Sequence, residues 1–197
     1  MRMPAAADRA DADFDAAVLG LGLPAAVQAA LKEAGERRGE PANAMAALMR
    51  AQALAPDHPA VLIALYRHHF YGHRLHAARD VARQALVIGA RALGLPAVWR
   101  DVPKLALPGA RFEPSTRFYL FVLKGYAYLS LRLHDGVEAR DALALLRQLD
   151  PDDHVGAALL EDVRQRALRG DLEADDEDRP VEAPAFGAAA WRRLAPA

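Results

Sequence analysis

The chain has no cysteine, which excludes disulfides and thiolate metal sites. It has one threonine and two isoleucines among 197 residues, so the β-branched residues that fill strands are scarce. Charge of one sign is lacking as well: 25 Lys and Arg stand against 26 Asp and Glu, a net charge of −1. No global field therefore draws the chain to nucleic acid or to an anionic membrane surface. No apolar leader follows Met1, and no apolar run approaches the ~18 residues a membrane helix needs. The motifs G-x-x-x-x-G-K-[ST], G-x-G-x-x-G and G-x-S-x-G are absent, which removes phosphate-cradling loops and the nucleophile elbow. Serine is nearly absent too. Ser130 lies within an apolar stretch with no His or acid at helical spacing, and Ser115 reads as a helix cap, so no catalytic residue is expected.

What the chain does have is alanine, 45 residues of it. Alanine is the strongest helix former, so an all-α protein is expected. The 22 Arg against 3 Lys fit GC-rich coding and a bacterial, cytoplasmic protein. The chain divides into a tail at 1–13 without large apolar residues, a helical domain at 14–169, and an acidic tail at 170–197 expected to be largely disordered. Proline and glycine punctuate the domain. Helices are expected from Pro24 to about Arg38, Pro41 to Ala55, Ala60 to Tyr71, Arg74 to Ile88, Ser115 to Leu131 and Val137 to Leu149. Residues 152–169 should form a closing helix, and an apolar segment from Phe14 to Leu23 a first helical turn. Residues 93–117 hold Pro96, Pro103, Pro108 and Pro114, too many for one helix, and form a long excursion.

Three sets of residues share one spacing: Ala44, Leu48, Ala51, Pro56; Ala78, Ala82, Ala85, Ala90; and Ala139, Leu143, Leu146, Pro151. The first two are 34 residues apart, a period that fits two helices and two turns. These residues resemble the tetratricopeptide repeat (TPR) family. Aligned on that family, unit one is Gln28, Leu31-Lys32, Gly35, Gly39, then the first set. Unit two is Leu62, Leu65-Tyr66, His69, His73, then the second. Unit three is Phe121, Lys124-Gly125, Tyr128, then the third, with two extra residues in its turn. The resemblance implies a short right-handed α-solenoid of about three TPR-like hairpins plus a C-terminal cap helix. It also implies a non-enzymatic scaffold or assembly factor that holds a protein or peptide in its concave groove, without cofactor or metal.

The family's groove positions fall on Ala60, Ile63, Arg67, Phe70 and Tyr71 in unit two, and on Tyr119, Val122, Tyr126 and Leu129 in unit three. Such a groove suits an apolar or helical segment. The alternative is that these aromatics pack against the excursion and fill the groove. The runs RFYLFVLKGYAYLSLRL and LDPDDHVGAALL further resemble small TPR proteins encoded beside bacterial nitrogen-fixation genes, which implies an accessory role in assembling nitrogenase or another metalloenzyme.

Other features support weaker readings. His68, His69, His73 and His76 lie within nine residues, and His69 and His73 are four apart, which admits a metal carrier or enzyme. Gly72 at the turn and the missing third ligand argue against it, so no metal site is expected. Arg91, Arg100, Arg111 and Arg117 beside Trp99 and Phe112 could stack on nucleic acid, but Asp101 and Glu113 and the neutral net charge favour a solvated loop. No nucleic-acid or membrane partner is expected, and the chain should be a monomer or weak homo-oligomer. In the tail, seven acids between Asp171 and Glu182 precede Phe186, Trp191 and Leu194, a segment that can dock in the groove of its own chain or of a neighbour.

Overall fold

The computed structural model describes residues 17–18, 22–107 and 113–169, and among these every regular element is helical. Seven α-helices follow one another: α1 (Ala25–Glu36), α2 (Pro41–Leu54), α3 (Pro59–Tyr71), α4 (Leu75–Ala92), α5 (Pro114–Arg132), α6 (Gly136–Leu149) and α7 (Ala158–Arg169). Among the described residues one 3₁₀ turn, Trp99–Asp101, lies between α4 and α5. Pro41, Pro59 and Pro114 open their helices, where a missing N–H costs no hydrogen bond. Each helix packs on its neighbours in the chain. No helix among the described residues is long and apolar enough to cross a membrane.

Alanine decides where helices can approach. Ala44, Ala78 and Ala139, one on the second helix of each hairpin, are buried, and a small side chain lets packed helices come close. Gly89 plays the same part between α4 and α5: a Cβ there would lie 3.2 Å from Cδ1 of Phe118 and 3.3 Å from Cδ2 of Tyr119.

The turns correct the expected repeat register. In hairpin α3–α4, Gly72 N–H donates to His68 O, His73 to Phe70 O and Arg74 to His69 O; in hairpin α5–α6, Leu133 donates to Leu129 O, His134 to Leu131 O and Asp135 to Ser130 O. His73 and His134 both take left-handed backbone, with φ of 55° and 57°. The two turns are therefore equivalent, and the third hairpin has no extra residues. Counting back from Ala139 as from Ala78, the inward positions become Leu123, Tyr126, Ala127 and Ser130, all fully buried. The expected inward positions Phe121 and Lys124 are instead only half-buried. The physical reason is Lys124, since an ammonium in a core slot would lack solvation. In hairpin α1–α2 the turn is one residue longer, Arg37 to Glu40, and Val27, Ala30 and Ala34 point inward rather than Gln28, Lys32 and Gly35.

Two cores result. The smaller joins α1, α2 and one side of α3 through Val27, Ala47, Leu48, Val61 and Leu65. The larger joins the other side of α3 to α4, α5, α6 and the start of α7, through Leu62, Tyr66, Leu86, Phe118, Leu123 and Leu146. Most residues of the described part of the excursion, 93–107, are exposed, but it is anchored. Trp99 and Val102 are buried in the larger core, and Leu107 N–H donates to Leu149 O at 2.9 Å. The closing helix starts at Ala158, later than expected, because Asp150 and Asp153 hold a turn before it. Asp150 Oδ2 accepts from Val155 N–H at 2.9 Å, and Asp153 takes a left-handed φ of 53° while its carboxylate caps Ala157 and Ala158.

Candidate docking face on α3 and α5

Helices α3 and α5 carry no Asp or Glu, although acids slightly outnumber bases over the whole chain. Their charged residues are Arg67 on α3 and Arg117, Lys124 and Arg132 on α5. On α5, residues 117, 121, 124, 128 and 132 follow helical spacing and share one side. On α3 the corresponding stripe is Ile63, Arg67, Phe70 and Tyr71.

One aromatic contact, Phe70 with Tyr128, joins the two helices, and the others lie within each helix. The Phe70 ring stacks on Tyr66 at 5.8 Å and meets Tyr128 at 5.8 Å. Arg132 Nη1 donates to the Tyr128 hydroxyl at 3.0 Å. The Arg67 guanidinium lies 5.8 Å from the Tyr71 ring, and that of Arg117 5.6 Å from Phe121. Burial pushes the Arg117 guanidinium down, opposed by the charge of Asp150. It likewise lowers the Lys124 ammonium, opposed by Asp153, while Lys124 Nζ donates to Val155 O at 2.7 Å. An apolar crevice of about 20 Å³, walled by Leu62, Ile63, Val81, Phe118 and Val122, lies between α3, α4 and α5. It has room for about one water and none for a ligand.

Of the residues expected to line the groove, Arg67 is exposed and Tyr71 is 60% exposed, while Ile63 and Phe70 are half-buried against the larger core. Tyr119, Val122 and Tyr126 are core, as is Leu129. They were placed outside by the two-residue register error. The positions of α5 that correspond to the α3 stripe are Phe121 and Lys124, both half-buried, Tyr128, which is buried, and Arg132, which is exposed. The signal that could have found them is the match of Gly72-His73 to Leu133-His134, which equalises the turns.

Tyr126 shows why α5 is closed on its other side. Its ring meets Trp99 of the excursion at 5.9 Å, its hydroxyl donates to Glu138 of α6, and Arg83 Nε of α4 donates to it at 3.3 Å. Burial raises the Tyr126 phenol, and the bond to Glu138 adds to the rise. For Glu138 burial pushes upward, but bonds from Arg100 and Tyr126 outweigh it and the carboxyl is held below its ordinary value. Arg100 also covers the Trp99 ring at 4.3 Å. Its partners are thus structural, and the excursion is pinned.

Two of the histidines, His58 and His73, serve the backbone. His58 Nδ1 accepts from Ala60 N–H at 3.2 Å and caps α3, His73 makes the turn, and burial with Arg74 lowers His68 and His69. Among the described residues no group of three or more His, Asp or Glu is placed to hold a metal ion. Ser130 is buried and donates to Tyr126 O at 2.9 Å. Ser115 is not the cap of α5, since Glu113 holds that position without a side-chain bond. Phe186, Trp191 and Leu194 lie outside the described residues.

No family model matches the chain, and no solved structure matches it. A relative in Azotobacter chroococcum mcd 1, described as an "Uncharacterized 19.8 kDa protein in nifW 5'region", is 42% identical over 155 residues, covering 77% of this chain and 86% of the relative.

Proposed function

We propose a function from one premise: the chain belongs to the same family as the 19.8 kDa protein of the nifW 5' region of Azotobacter chroococcum. It is a non-enzymatic accessory factor of nitrogen fixation, acting in the cytoplasm by holding another protein. The relative's description, which places it beside nifW, supports the pathway. The three hairpins are read as TPR-like units of a short right-handed solenoid with α7 as cap, a reading supported by the equivalent turns and by the buried Ala44, Ala78 and Ala139. In that arrangement α1, α3 and α5 line the concave side.

The observation that carries the binding role is the acid-free pair α3 and α5, on which Arg67, Tyr71 and Arg132 are exposed beside the half-buried Phe70 and Phe121. Aromatic surface supplies contact area at low entropic cost and the cations select the flank, so the partner is a helical segment with an apolar side and acidic neighbours. The test is genetic. Disrupting the relative's gene in Azotobacter chroococcum should slow growth on dinitrogen but not on ammonium. This chain should restore growth, and an Arg67→Glu, Tyr71→Ala variant, changed only at exposed positions, should not. Equal growth of the disrupted strain on both nitrogen sources would overturn the pathway, and full rescue by the variant would overturn the docking face.

A further inference from the structure

The described part of the excursion is fastened to α6 at two points. Near its middle, Arg100 Nη1 donates to Glu138 Oε1 at 3.3 Å, and Arg100 Nη2 lies 3.7 Å from Asp141 Oδ2. At its end, Leu107 N–H donates to Leu149 O at 2.9 Å. Helix α6 rises ~16 Å from Glu138 to Leu149, while the chain from Arg100 to Leu107 can reach ~24 Å. Residues 100–107 therefore run beside α6 in its own direction, as a strap with chain to spare.

Between strap and helix lies a cleft of about 320 Å³. From α6 it is lined by Asp141, Ala144, Leu145 and Gln148, positions i, i+3, i+4 and i+7, which share one side of a helix. Trp99, Arg100 and Lys104 line it from the strap. The volume falls at the lower end of small-molecule sites, unlike that of the crevice between α3, α4 and α5.

Leu145 and Trp99 give the cleft buried apolar surface, at 5% and 9% exposure. Its charges are unevenly matched. Arg100 is held by Glu138 and Asp141, and Asp141 Oδ1 also accepts from Arg140 at 2.8 Å and 3.0 Å. Lys104, by contrast, is exposed and makes no ion pair among the described residues, not even with Asp101 three positions before it. The Gln148 amide is exposed and equally without a partner there. The lining thus combines an apolar wall with a cation and an amide that no other group takes up.

We propose that this cleft binds a small organic monoanion, a carboxylate on an apolar body, with Lys104 and the Gln148 amide donating to the carboxylate. The apolar body lies against Leu145 and Trp99. A charge-assisted hydrogen bond selects the anion over a neutral or cationic molecule of the same shape. Because the strap is fastened on both sides of the cleft, binding orders little further chain. The volume suits a free small molecule rather than a peptide. This site is separate from the α3–α5 face and does not depend on the nitrogen-fixation role.

Titration of the ¹⁵N-labelled full-length protein with benzoate, hexanoate, benzylamine and acetate tests the proposal through amide and indole chemical shifts. Benzoate and hexanoate should move the signals of residues 99–104 and 141–148 saturably, with a Kd on the order of 1 mM. Benzylamine keeps the ring and reverses the charge, and acetate keeps the charge without the apolar body. Both should bind at least about tenfold more weakly than benzoate. Lys104→Ala and Gln148→Ala change exposed side chains, so the fold is kept. The first should weaken benzoate about tenfold and the second about threefold. No saturable shift with either carboxylate up to about 20 mM would overturn the proposal. So would equal affinity for benzylamine, shifts centred on α1 and α2, or unchanged benzoate affinity in the Lys104→Ala variant.

Discussion

Tyr119 and Tyr126 are both fully buried on α5, yet their hydroxyls live differently. Burial pushes the Tyr119 phenol up to about 12, and its hydroxyl has no hydrogen-bond partner among the described residues. The Tyr126 hydroxyl joins α4, α5 and α6 through Arg83 and Glu138. An unmade buried bond costs free energy, and a bond to a charged group is worth more than a neutral one. Tyr119→Phe should therefore leave stability unchanged or raise it by up to about 1 kcal/mol, while Tyr126→Phe should lower it by about 1–2 kcal/mol. Urea unfolding of both variants checks this, and equal losses would refute the distinction. Small residues give a second prediction at this scale. Ala78 and Ala139 are 0% exposed, so replacement of either by Leu should destabilise by ~1–3 kcal/mol through overpacking.

At the scale of the element, the helices were legible because proline and glycine mark their ends and alanine fills them. The second helices, α2, α4 and α6, were placed in register by Ala44, Ala78 and Ala139. First helices were harder. Helix α5 is apolar on nearly every side, so its periodicity does not reveal which face is inward, and only Lys124 and the turn at His134 do. The burial of Trp99 was illegible for a different reason: its partners Tyr126 and Glu138 come from two other helices, and no local pattern announces a long-range contact. Helix α7 offers a pH test. Bonds from Arg164 and Gln165 hold the Glu161 carboxyl at about 2, below an ordinary 4.5, despite burial acting upward. A carboxyl depressed in the folded state contributes stability above its unfolded value and loses it as pH falls through the folded one. The pair is largely shielded, with side chains 12% and 18% exposed. Wild type should thus exceed Glu161→Gln by roughly 1 kcal/mol near neutral pH. The two melting temperatures should converge as pH falls from about 4.5 to about 2. A gap that persists at the acid end would show that the contact is packing rather than charge.

Across the whole molecule, the two cores differ in what they bury. The smaller relies on Ala30, Ala34, Ala47 and Ala51 around Val27, Leu48, Val61 and Leu65. The larger buries Phe118, Tyr119, Leu120, Tyr126 and a ladder of leucines. Stabilisation grows with apolar area removed from water, so the α1–α2 hairpin is held more weakly than α4 to α6. Helix α3 couples the two, through Val61 and Leu65 on one side and Leu62 and Tyr66 on the other, and Val81 of α4 packs against both. In a chain whose elements contact mainly their neighbours, such a difference lets one end open alone. Native-state hydrogen exchange should therefore find α1 and α2 opening at lower free energy than α5. Two variants locate the boundary. Leu48→Ala and Leu123→Ala each create a cavity costing ~2–5 kcal/mol. Leu48→Ala should hasten exchange in α1 and α2 and leave α5 nearly unchanged, whereas Leu123→Ala should hasten it throughout α3 to α6. A single opening free energy shared by all seven helices, lowered equally by both variants, would mean that α3 transmits every perturbation and that the two cores fold as one.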